Sequence, residues 1–259
     1  MPENDLGLLM DAARAAGDIA RSFWRKTPDA WEKPDGAGPV SEADMAVNAM
    51  LERELRTARP DYGWLSEESV DDPARLVAAR TFIVDPIDGT RAFLAGEGSF
   101  AHSLAIAQDG HVTAAVVYLP VPDLIYTATL TGVAMLNGIA IAPSVATNPE
   151  GASILTAAAS ADPSQWRGPV PAYKRAFRPS LAWRLCLVAE GRFDATLSLR
   201  PAWEWDIAAG ALIATRAGAA VSDRAAMALR FNRPVPQSNG LIAAPSTLHA
   251  ALTARIRTF

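Results

Sequence analysis

The sequence predicts a mixed α/β (α+β) protein in which helices pack on β-sheets. Apolar residues near the N-terminus recur at three- and four-residue intervals, which is typical of an amphipathic helix. Strand-like runs with tight turn signals follow, and the second half alternates strand-like with helical segments. The 259 residues, half of them hydrophobic, are enough for one or two domains with a sizeable core.

Two helices are predicted early in the chain. The apolar residues of segment 6–23 have helical spacing, and Asn4 or Asp5 is available as the N-cap. A loop that contains Lys33 leads into a second helix, which is predicted over residues 42–55.

The middle of the chain predicts an antiparallel sheet. Residues 103–108 and 111–118 are strand-like and are joined by Asp-Gly at 109–110, a strong signal for a two-residue hairpin. Residues 124–129 continue the pattern as a third strand, and Asn-Gly at 137–138 predicts another tight turn.

A domain boundary is predicted within residues 142–151, which contain two prolines and an asparagine. It divides the chain into residues 1–142 and 143–259. The elements predicted beyond it are strands near 154–155, 173–177, 195–199 and 241–243, and helices over 180–190, from 205 to about 217 and from Ser246 onward. Gly191 and Gly218 are predicted to end the first two of these helices.

Composition argues against several classes of protein. A formal net charge of -4, a pI of 5.4 and the lack of a basic run argue against binding to a nucleic-acid polymer. No stretch is long and apolar enough for membrane insertion, and the acidic N-terminus does not resemble a signal peptide. Cys186, the single cysteine, lies in an apolar run, which predicts a buried thiol in a cytoplasmic protein.

The most informative motif is Phe-Ile-Val-Asp-Pro-Ile-Asp-Gly-Thr-Arg-Ala-Phe, at residues 82–93. Its apolar start predicts a buried strand that ends in a turn at Asp85. Across a turn fixed by proline, the carboxylates of Asp85 and Asp88 and the carbonyl of Ile87 can converge on one point. Three such hard oxygens suit Mg²⁺, Mn²⁺ or Ca²⁺. Taken alone, the motif also fits an ordinary turn in which the two aspartates act as caps.

Two further stretches favour the metal site. Glu67 and Glu68 form an acidic pair upstream, and residues 205–210 read Trp-Asp-Ile-Ala-Ala-Gly. Together the three motifs resemble those of the inositol monophosphatase superfamily of metal-dependent, lithium-sensitive phosphatases, which are an acidic pair, Asp-Pro-Ile-Asp-Gly-Thr and Trp-Asp-x-Ala-Ala-Gly. Matching features run from Lys33 to the C-terminal region, so the resemblance covers nearly the whole chain.

The resemblance implies both a fold and a chemistry. The implied fold is a layered α-β-α-β-α sandwich of two sheets with helices between and outside them. The implied activity is hydrolysis of a phosphate monoester by metal-activated water, with two or three Mg²⁺ ions per site and Mn²⁺ as a substitute. The implied metal ligands are Glu67, Asp85, the carbonyl of Ile87, Asp88 and Asp206. The implied catalytic residues are Glu68 and Thr90, which polarise the attacking water, and Asp44, which faces the metal site.

Further residues are expected around the substrate phosphate. The N–H groups of Gly89 and Thr90 are predicted to hold it, and the resemblance places Lys33 on a mobile loop over the site. Helix capping is the alternative role for two of the acidic residues. Asp44 has the spacing of a capping box with the serine three residues before it, and Asp206 stands at a helix start.

The convergence of these carboxylates requires compensation. Two carboxylates 4 Å apart repel by roughly 4 kcal/mol at an effective dielectric constant of about 20. No basic residue lies within these motifs, so we expect bound cations or protonation to stabilise the cluster. The three histidines are scattered along the chain and the single cysteine lies in an apolar run, which argues against zinc.

The expected substrate is a small phosphorylated metabolite. Segments 185–191 and 204–210 look more like those of bacterial 3′(2′),5′-bisphosphate nucleotidases than of typical inositol monophosphatases, which points to adenosine 3′,5′-bisphosphate. Two departures weaken this likeness: Arg-Pro-Ser at 178–180 replaces Gly-Ser-Ser, and Arg-Pro at 200–201 replaces Pro-Arg. Ser180 and Arg200 are the predicted substrate contacts, with a helix cap and an exposed charge as their alternative roles.

Three functional hypotheses follow from this sequence. The first is a bisphosphate nucleotidase, and the second is an inositol- or sugar-phosphate phosphatase on the same scaffold. The third is a regulatory binding protein that keeps the fold and works through partner contacts. The complete set of acidic ligands favours an enzyme over the third hypothesis, and the resemblance further implies a homodimer.

Overall fold

The structure is a computed structural model that describes residues 3–34 and 38–258, with side chains from residue 5 onward. Its helices are α1 (Glu3–Phe23), α2 (Glu42–Ala58), α3 (Thr90–Leu94), α4 (Leu181–Ala189), α5 (Glu204–Ala217) and α6 (Ser246–Thr253). Within the described ranges, no helix combines the length and the apolar character that crossing a bilayer requires.

Two sheets form the framework of the molecule. A short antiparallel pair, β1 (Ala30–Glu32) and β2 (Pro39–Ser41), precedes α2. The larger sheet has seven strands in sequential order: β3 (Gly63–Ser66), β4 (Thr81–Asp88), β5 (Ala101–Gln108), β6 (His111–Leu119), β7 (Leu124–Thr129), β8 (Met135–Leu136) and β9 (Ile139–Ala140). Its first pair is parallel and all later pairs are antiparallel.

The second half of the chain contributes the smaller sheet. The strands in this half of the chain are β10 (Ser153–Thr156), β11 (Lys174–Ala176), β12 (Ala195–Ser198), β13 (Ala202–Trp203), β14 (Ala220–Ser222), β15 (Gln237–Ser238) and β16 (Leu241–Ala244). Five of them form one sheet in the order β11-β10-β12-β16-β14, and β13 pairs with β15 separately. No helix or strand occupies residues 142–151, where the boundary between residues 1–142 and 143–259 remains a prediction.

Three hydrophobic clusters stack these elements into five layers. On the outer face of the large sheet, α1 and α2 pack against residues that include Phe82. Between the two sheets lie α4 and α5, where Leu185 packs in the same cluster as Ile83 of β4 and Ala243 of β16. Leu248 of α6 packs on the far side of the small sheet. The predicted α-β-α-β-α sandwich is therefore confirmed.

The two predicted tight turns are confirmed as well. The residues at 109–110 have φ of 53° and 78°, and those at 137–138 have φ of 48° and 80°. Two consecutive positive φ angles favour Asn-Gly and Asp-Gly, because Asn and Asp tolerate this conformation and glycine adopts it freely. Cys186 is fully buried, as predicted.

The start of α1 differs from the prediction. The helix begins at Glu3, so Asn4 and Asp5 lie inside it and are not its N-cap. Asp5 is buried, and its carboxylate pairs with Arg59 at 2.9 Å and with Arg80 at 3.4 Å. A short polar residue near a helix start looks like a cap in the sequence, but tertiary ion pairs give this aspartate another role.

Candidate active site

Acidic side chains from three parts of the chain approach one another at the edge of the large sheet. Glu67 directly follows β3, Asp85 and Asp88 belong to β4, and Asp206 lies in the first turn of α5. Glu67, Asp85 and Asp206 each offer one carboxylate oxygen within 4.8 Å of the others. Three of the predicted metal ligands are thus brought together by elements distant in sequence.

The geometry of β4 differs from the prediction of a strand that ends at Asp85. The strand continues to Asp88, and its pairing with β5 shifts between these two residues, from Asp85 opposite Ser103 to Asp88 opposite Ala101. Such a bulge inserts an extra residue and redirects side chains. The imidazole of His102 contacts the bulge, with Nδ1 2.5 Å from the carbonyl oxygen of Pro86. The aspartates therefore lie on a bulged strand and not in a turn.

Parallel pairing places the acidic pair beside β4. Ser66 of β3 lies opposite Val84, and the N–H of Glu67 donates to the Val84 carbonyl at 3.2 Å. Because this bond fixes the first residue after β3, Glu67 is held next to Asp85.

Asp206 is the third residue of α5, and the N-cap is Trp203, so Asp206 is not the cap of this helix. Interactions with Asp85 and with the backbone of Trp203 favour the charged form of the Asp206 carboxylate and oppose the effect of its burial on the pKa. Ser103 of β5 donates its hydroxyl to the Trp205 carbonyl at 2.9 Å, which ties the start of α5 to the sheet. The first turn of α5, which carries Asp206, is therefore fixed against β5.

The residues present fit a divalent cation. Asp85 is buried, and its Oδ1 has no hydrogen-bond partner among the residues that the structure describes. An unsatisfied buried carboxylate oxygen is unfavourable unless a cation or a proton binds it. An all-oxygen donor set suits Mg²⁺, Mn²⁺ or Ca²⁺. This orphaned oxygen, within reach of two other carboxylates, is the observation that supports a metal site.

Burial and mutual repulsion raise the pKa values of these carboxyl groups. Burial raises the pKa of Asp85 well above its ordinary value, and the charges of Glu67 and Asp88 raise it further. Burial likewise raises the pKa of Asp206, with Asp88 as the next cause. The cluster therefore favours protons or cations, as the sequence-based argument expects.

Asp88 stands apart from the three converging carboxylates. Its Oδ2 accepts hydrogen bonds from the hydroxyl of Ser180 at 2.7 Å and from the N–H of Ala182 at 2.6 Å. Burial raises the pKa of Asp88 to about 6, and these hydrogen bonds oppose the rise. Ser180 also N-caps α4, because its hydroxyl oxygen accepts from the N–H of Trp183 at 2.9 Å. Ser180 is fully buried, so the structure favours its helix-cap role and gives no support to a substrate contact.

Thr90 and Asp44 form a second polar contact next to the bulge. The hydroxyl of Thr90 lies 3.1 Å from both Asp44 Oδ1 and the Ile87 carbonyl oxygen. Asp44 also accepts hydrogen bonds from the backbone N–H and the hydroxyl of Ser41, at 2.9 Å and 2.5 Å. Asp44 therefore takes part in a capping box and faces Thr90 at the same time. Gly89 has a φ of 103°, which sends the chain from β4 directly into the short helix α3.

Lys33 corrects the expectation that nothing basic neutralises the cluster. Its ammonium lies 2.7 Å from Glu67 and 2.6 Å from Glu68. Burial lowers the pKa of Lys33, but the two glutamates outweigh burial and raise it. Burial and the charge of Glu67 raise the pKa of Glu68 to about 7 although Lys33 opposes the shift. In this structure Lys33 is a counter-ion of the acidic pair.

Sequence reasoning missed Arg184, a buried arginine on α4. Its side chain donates to the carbonyls of Arg178 and Pro179, at 2.5 Å and 3.3 Å, and lies over the ring of Phe177. The charges of Asp88 and Asp206 raise the pKa of Arg184, and the charge of Arg200 lowers it. One signal was available, since a single arginine interrupts the apolar run of this helix.

Comparison with known proteins identifies the family. A family model described as the inositol monophosphatase family matches residues 1–258. The inositol-1-monophosphatase of Rhizobium meliloti (strain 1021) is 33% identical over 226 residues, which are 82% of this chain and 83% of that protein. The 3′(2′),5′-bisphosphate nucleotidase CysQ of Escherichia coli (strain K12) is 32% identical over 219 residues, which are 82% of this chain and 87% of that protein.

Solved structures agree with this assignment. The crystal structure of the extragenic suppressor protein SuhB from Bartonella henselae superimposes with a TM-score of 0.81 at 27% identity, covering 97% of each chain. The chain therefore belongs to the inositol monophosphatase family, and it is a phosphatase that hydrolyses phosphate monoesters.

Proposed function

We propose that this phosphatase is a Mg²⁺-dependent 3′(2′),5′-bisphosphate nucleotidase, which converts adenosine 3′,5′-bisphosphate to AMP and phosphate. The observation that carries the proposal is the buried Arg184, which interacts electrostatically with Asp88 and Asp206 of the acidic cluster and with a second arginine, Arg200. A substrate with two phosphates needs a second anion-binding position beside the catalytic one, and this pair offers it.

The charges of Asp88 and Asp206 attract Arg184, but only from beyond ion-pairing distance. Arg184 is 8% exposed, and burial together with the charge of Arg200 lowers its pKa to about 10. In the described part of the chain, neither guanidinium has a carboxylate within ion-pairing distance. A phosphate bound between them would supply the missing negative charge and accept several charge-assisted hydrogen bonds. A monophosphate such as inositol 1-phosphate leaves this position empty.

The residues around the acidic cluster take the catalytic roles in this proposal. Glu67, Asp85, the carbonyl of Ile87, Asp88 and Asp206 would hold Mg²⁺, and Mn²⁺ is the proposed substitute. When bound, the ions would neutralise phosphoryl oxygens and favour ionisation of water.

The remaining roles belong to the chain itself. Glu68 would accept the proton of the attacking water, and its pKa of about 7 suits such a base. Thr90, held by Asp44, would orient that water through its hydroxyl. Lys33 and the N–H groups of Gly89 and Thr90 remain the predicted contacts of the phosphate that is removed.

Four accompanying properties remain proposals on the same basis. They are the division into residues 1–142 and 143–259, a homodimer, inhibition by lithium and a cytoplasmic location. The location rests on the single buried cysteine, which fits a reducing compartment.

The substrate is tested by phosphate release from adenosine 3′,5′-bisphosphate and from inositol 1-phosphate, measured in parallel with Mg²⁺. We expect a higher kcat/KM for the nucleotide, and we expect Arg200→Gln to lower it roughly 10- to 100-fold. Arg53→Gln is the matched control, because Arg53 is an exposed arginine on α2.

Two results would contradict the proposal. Preference for the inositol ester would favour the second hypothesis, which the Rhizobium meliloti relative supports. Failure to hydrolyse any small phosphate ester at saturating Mg²⁺ would favour the regulatory hypothesis.

A further inference from the structure

Two tryptophans stack at the start of α5. The rings of Trp203 and Trp205 lie 4.7 Å apart between centroids, and their planes differ by 9°. Trp205 is partly buried and packs against the core between the sheets, whereas Trp203 is 40% exposed. Trp205 therefore backs one face of an indole that solvent can still reach. Nothing in the phosphatase chemistry described above uses this indole.

The backbone places this pair at the acidic cluster. Trp203 is the N-cap of α5, and the first turn of this helix carries Asp206, one of the three converging carboxylates. Trp205 immediately precedes Asp206, and Arg200 lies three residues before Trp203. The stacked pair is thus attached to the same short segment as a metal ligand and the proposed second phosphate contact.

The segment that carries the stacked indoles of Trp203 and Trp205 is held rigidly. Trp203 belongs to β13 and pairs with Gln237 of β15. The next residue, Glu204, is buried, and its carboxylate accepts the N–H groups of Asn232 and Arg233 at 2.6 Å and 3.1 Å. A fixed aromatic surface loses little conformational entropy when a ligand binds it.

We infer that the exposed indole of Trp203, backed by Trp205, is the surface on which the purine base of the substrate stacks. The inference rests on the proposed nucleotidase function, since an inositol or sugar ring offers no π face. Stacking of a base on an aromatic side chain contributes about 1–3 kcal/mol, or roughly 5- to 150-fold in affinity. Trp203 would therefore determine specificity for a nucleotide over a phosphate ester that lacks a base.

The test compares Trp203→Ala and Trp203→Phe with the wild-type enzyme. We expect Trp203→Ala to lower the ratio of kcat/KM for adenosine 3′,5′-bisphosphate over inositol 1-phosphate at least 5-fold, mainly through KM. Trp203→Phe keeps a flat ring and should restore most of this ratio. Thermal unfolding of both variants shows whether each keeps the fold.

A binding measurement gives a second readout. Binding of AMP should quench the tryptophan fluorescence of the wild-type protein, and ribose 5-phosphate, which lacks the base, should not. We expect Trp203→Phe to bind AMP in calorimetry with most of the quenching lost. If Trp203→Ala does not fold, this loss in Trp203→Phe carries the test.

The outcomes separate the two proposals. If the wild-type enzyme prefers the nucleotide while a folded Trp203→Ala keeps the same ratio and affinity for AMP, the stacking surface is wrong and the nucleotidase function stands. Undiminished quenching in Trp203→Phe would equally refute the stacking surface. If the wild-type enzyme prefers inositol 1-phosphate, both proposals fail.

Discussion

Replacement of Lys33 by glutamine should raise the affinity of the metal-free protein for Mg²⁺. The ammonium lies 2.7 Å from Glu67 and 2.6 Å from Glu68, and all three side chains are largely shielded from solvent. Glu67 is also one of the three converging carboxylates. A cation at this site therefore competes with Lys33 for the same glutamate.

The geometry sets a lower bound on the effect. Mg²⁺ binds oxygen at about 2.1 Å, so an ion on the Glu67 oxygen that Lys33 contacts would lie within about 5 Å of the ammonium. Even at the dielectric constant of water, a divalent ion and an ammonium about 5 Å apart repel by about 1.7 kcal/mol. Lys33 can avoid this repulsion only by giving up its two ion pairs. Both routes weaken metal binding, and the bound corresponds to roughly 15-fold in Kd.

Calorimetric titration of Mg²⁺ into metal-free protein, without substrate, measures this change. We expect Lys33→Gln to bind at least about 10-fold more tightly than wild type. Lys33→Arg keeps the charge and should bind like wild type, and Lys26→Gln removes an exposed lysine as a control for net charge. An unchanged or weaker affinity in Lys33→Gln would show that Lys33 does not compete with the ion.

Three further predictions concern the site, the histidine beneath it and the packing of α5. Asp88→Asn should lower phosphate release at least about 100-fold and leave the thermal midpoint nearly unchanged, because the amide keeps the shape and removes a like charge; wild-type turnover would show that the metal site is misplaced. Burial lowers the pKa of His102 from 6.5 to about 4, so this histidine takes up a proton at a higher pH in the unfolded chain than in the folded protein. The free energy of unfolding should therefore fall by about 2–3 kcal/mol between pH 7 and pH 4.5 because of this group. Between the two pH values, the free energy of unfolding of His102→Gln in urea should fall by about 2–3 kcal/mol less than that of the wild type. An identical fall in both proteins would show that His102 is not the cause. Gly210→Ala should destabilise the protein by about 1–3 kcal/mol, because its Cβ would lie 2.7 Å from Leu185 on α4. Gly7→Ala should be neutral or stabilising by up to about 1 kcal/mol, because no neighbouring atom of the described residues lies within 4 Å of the added Cβ. Equal effects of the two substitutions would refute the packing argument.

Local sequence patterns predict most of the helices and turns, because the conformation of these elements depends on residues that are close in sequence. The hairpin turn at 109–110 needs two positive φ angles, which Asp-Gly supplies, and Gly218 ends α5 with a φ of 108° as predicted. The second helix is predicted over 42–55 and spans Glu42–Ala58 in the structure. Spacing alone predicts each of these elements, although helix ends are less sharply determined.

Long-range contacts are the part of the site that local patterns do not predict. Lys33 and Glu67 are 34 residues apart, and Asp88 and Ser180 are 92 apart, so neither partner is visible in the sequence around the other. The bulge in β4 depends on pairing with β5, which turns a predicted strand end into a continued strand. Arg184 is recognisable only when α4 is placed beside Asp88, because an arginine in an apolar helix has many structural roles.

The acidic cluster persists in the folded protein because two features offset its repulsion and a third holds the surrounding chain in place. Lys33 supplies one positive charge to the two glutamates of the acidic pair, and the raised pKa values of Asp85 and Asp206 favour protons on these groups where no cation is bound. Buried Arg75 connects the two segments on either side of the cluster. Its guanidinium donates to Asp71, which follows the acidic pair, and to Asn232. The N–H of Asn232 in turn donates to Glu204 at the start of α5. A cation must therefore displace an ammonium and protons from groups that are already held in place. Because those protons leave when metal binds, the affinity for Mg²⁺ should fall as the pH is lowered, while the positions of the carboxylates stay fixed.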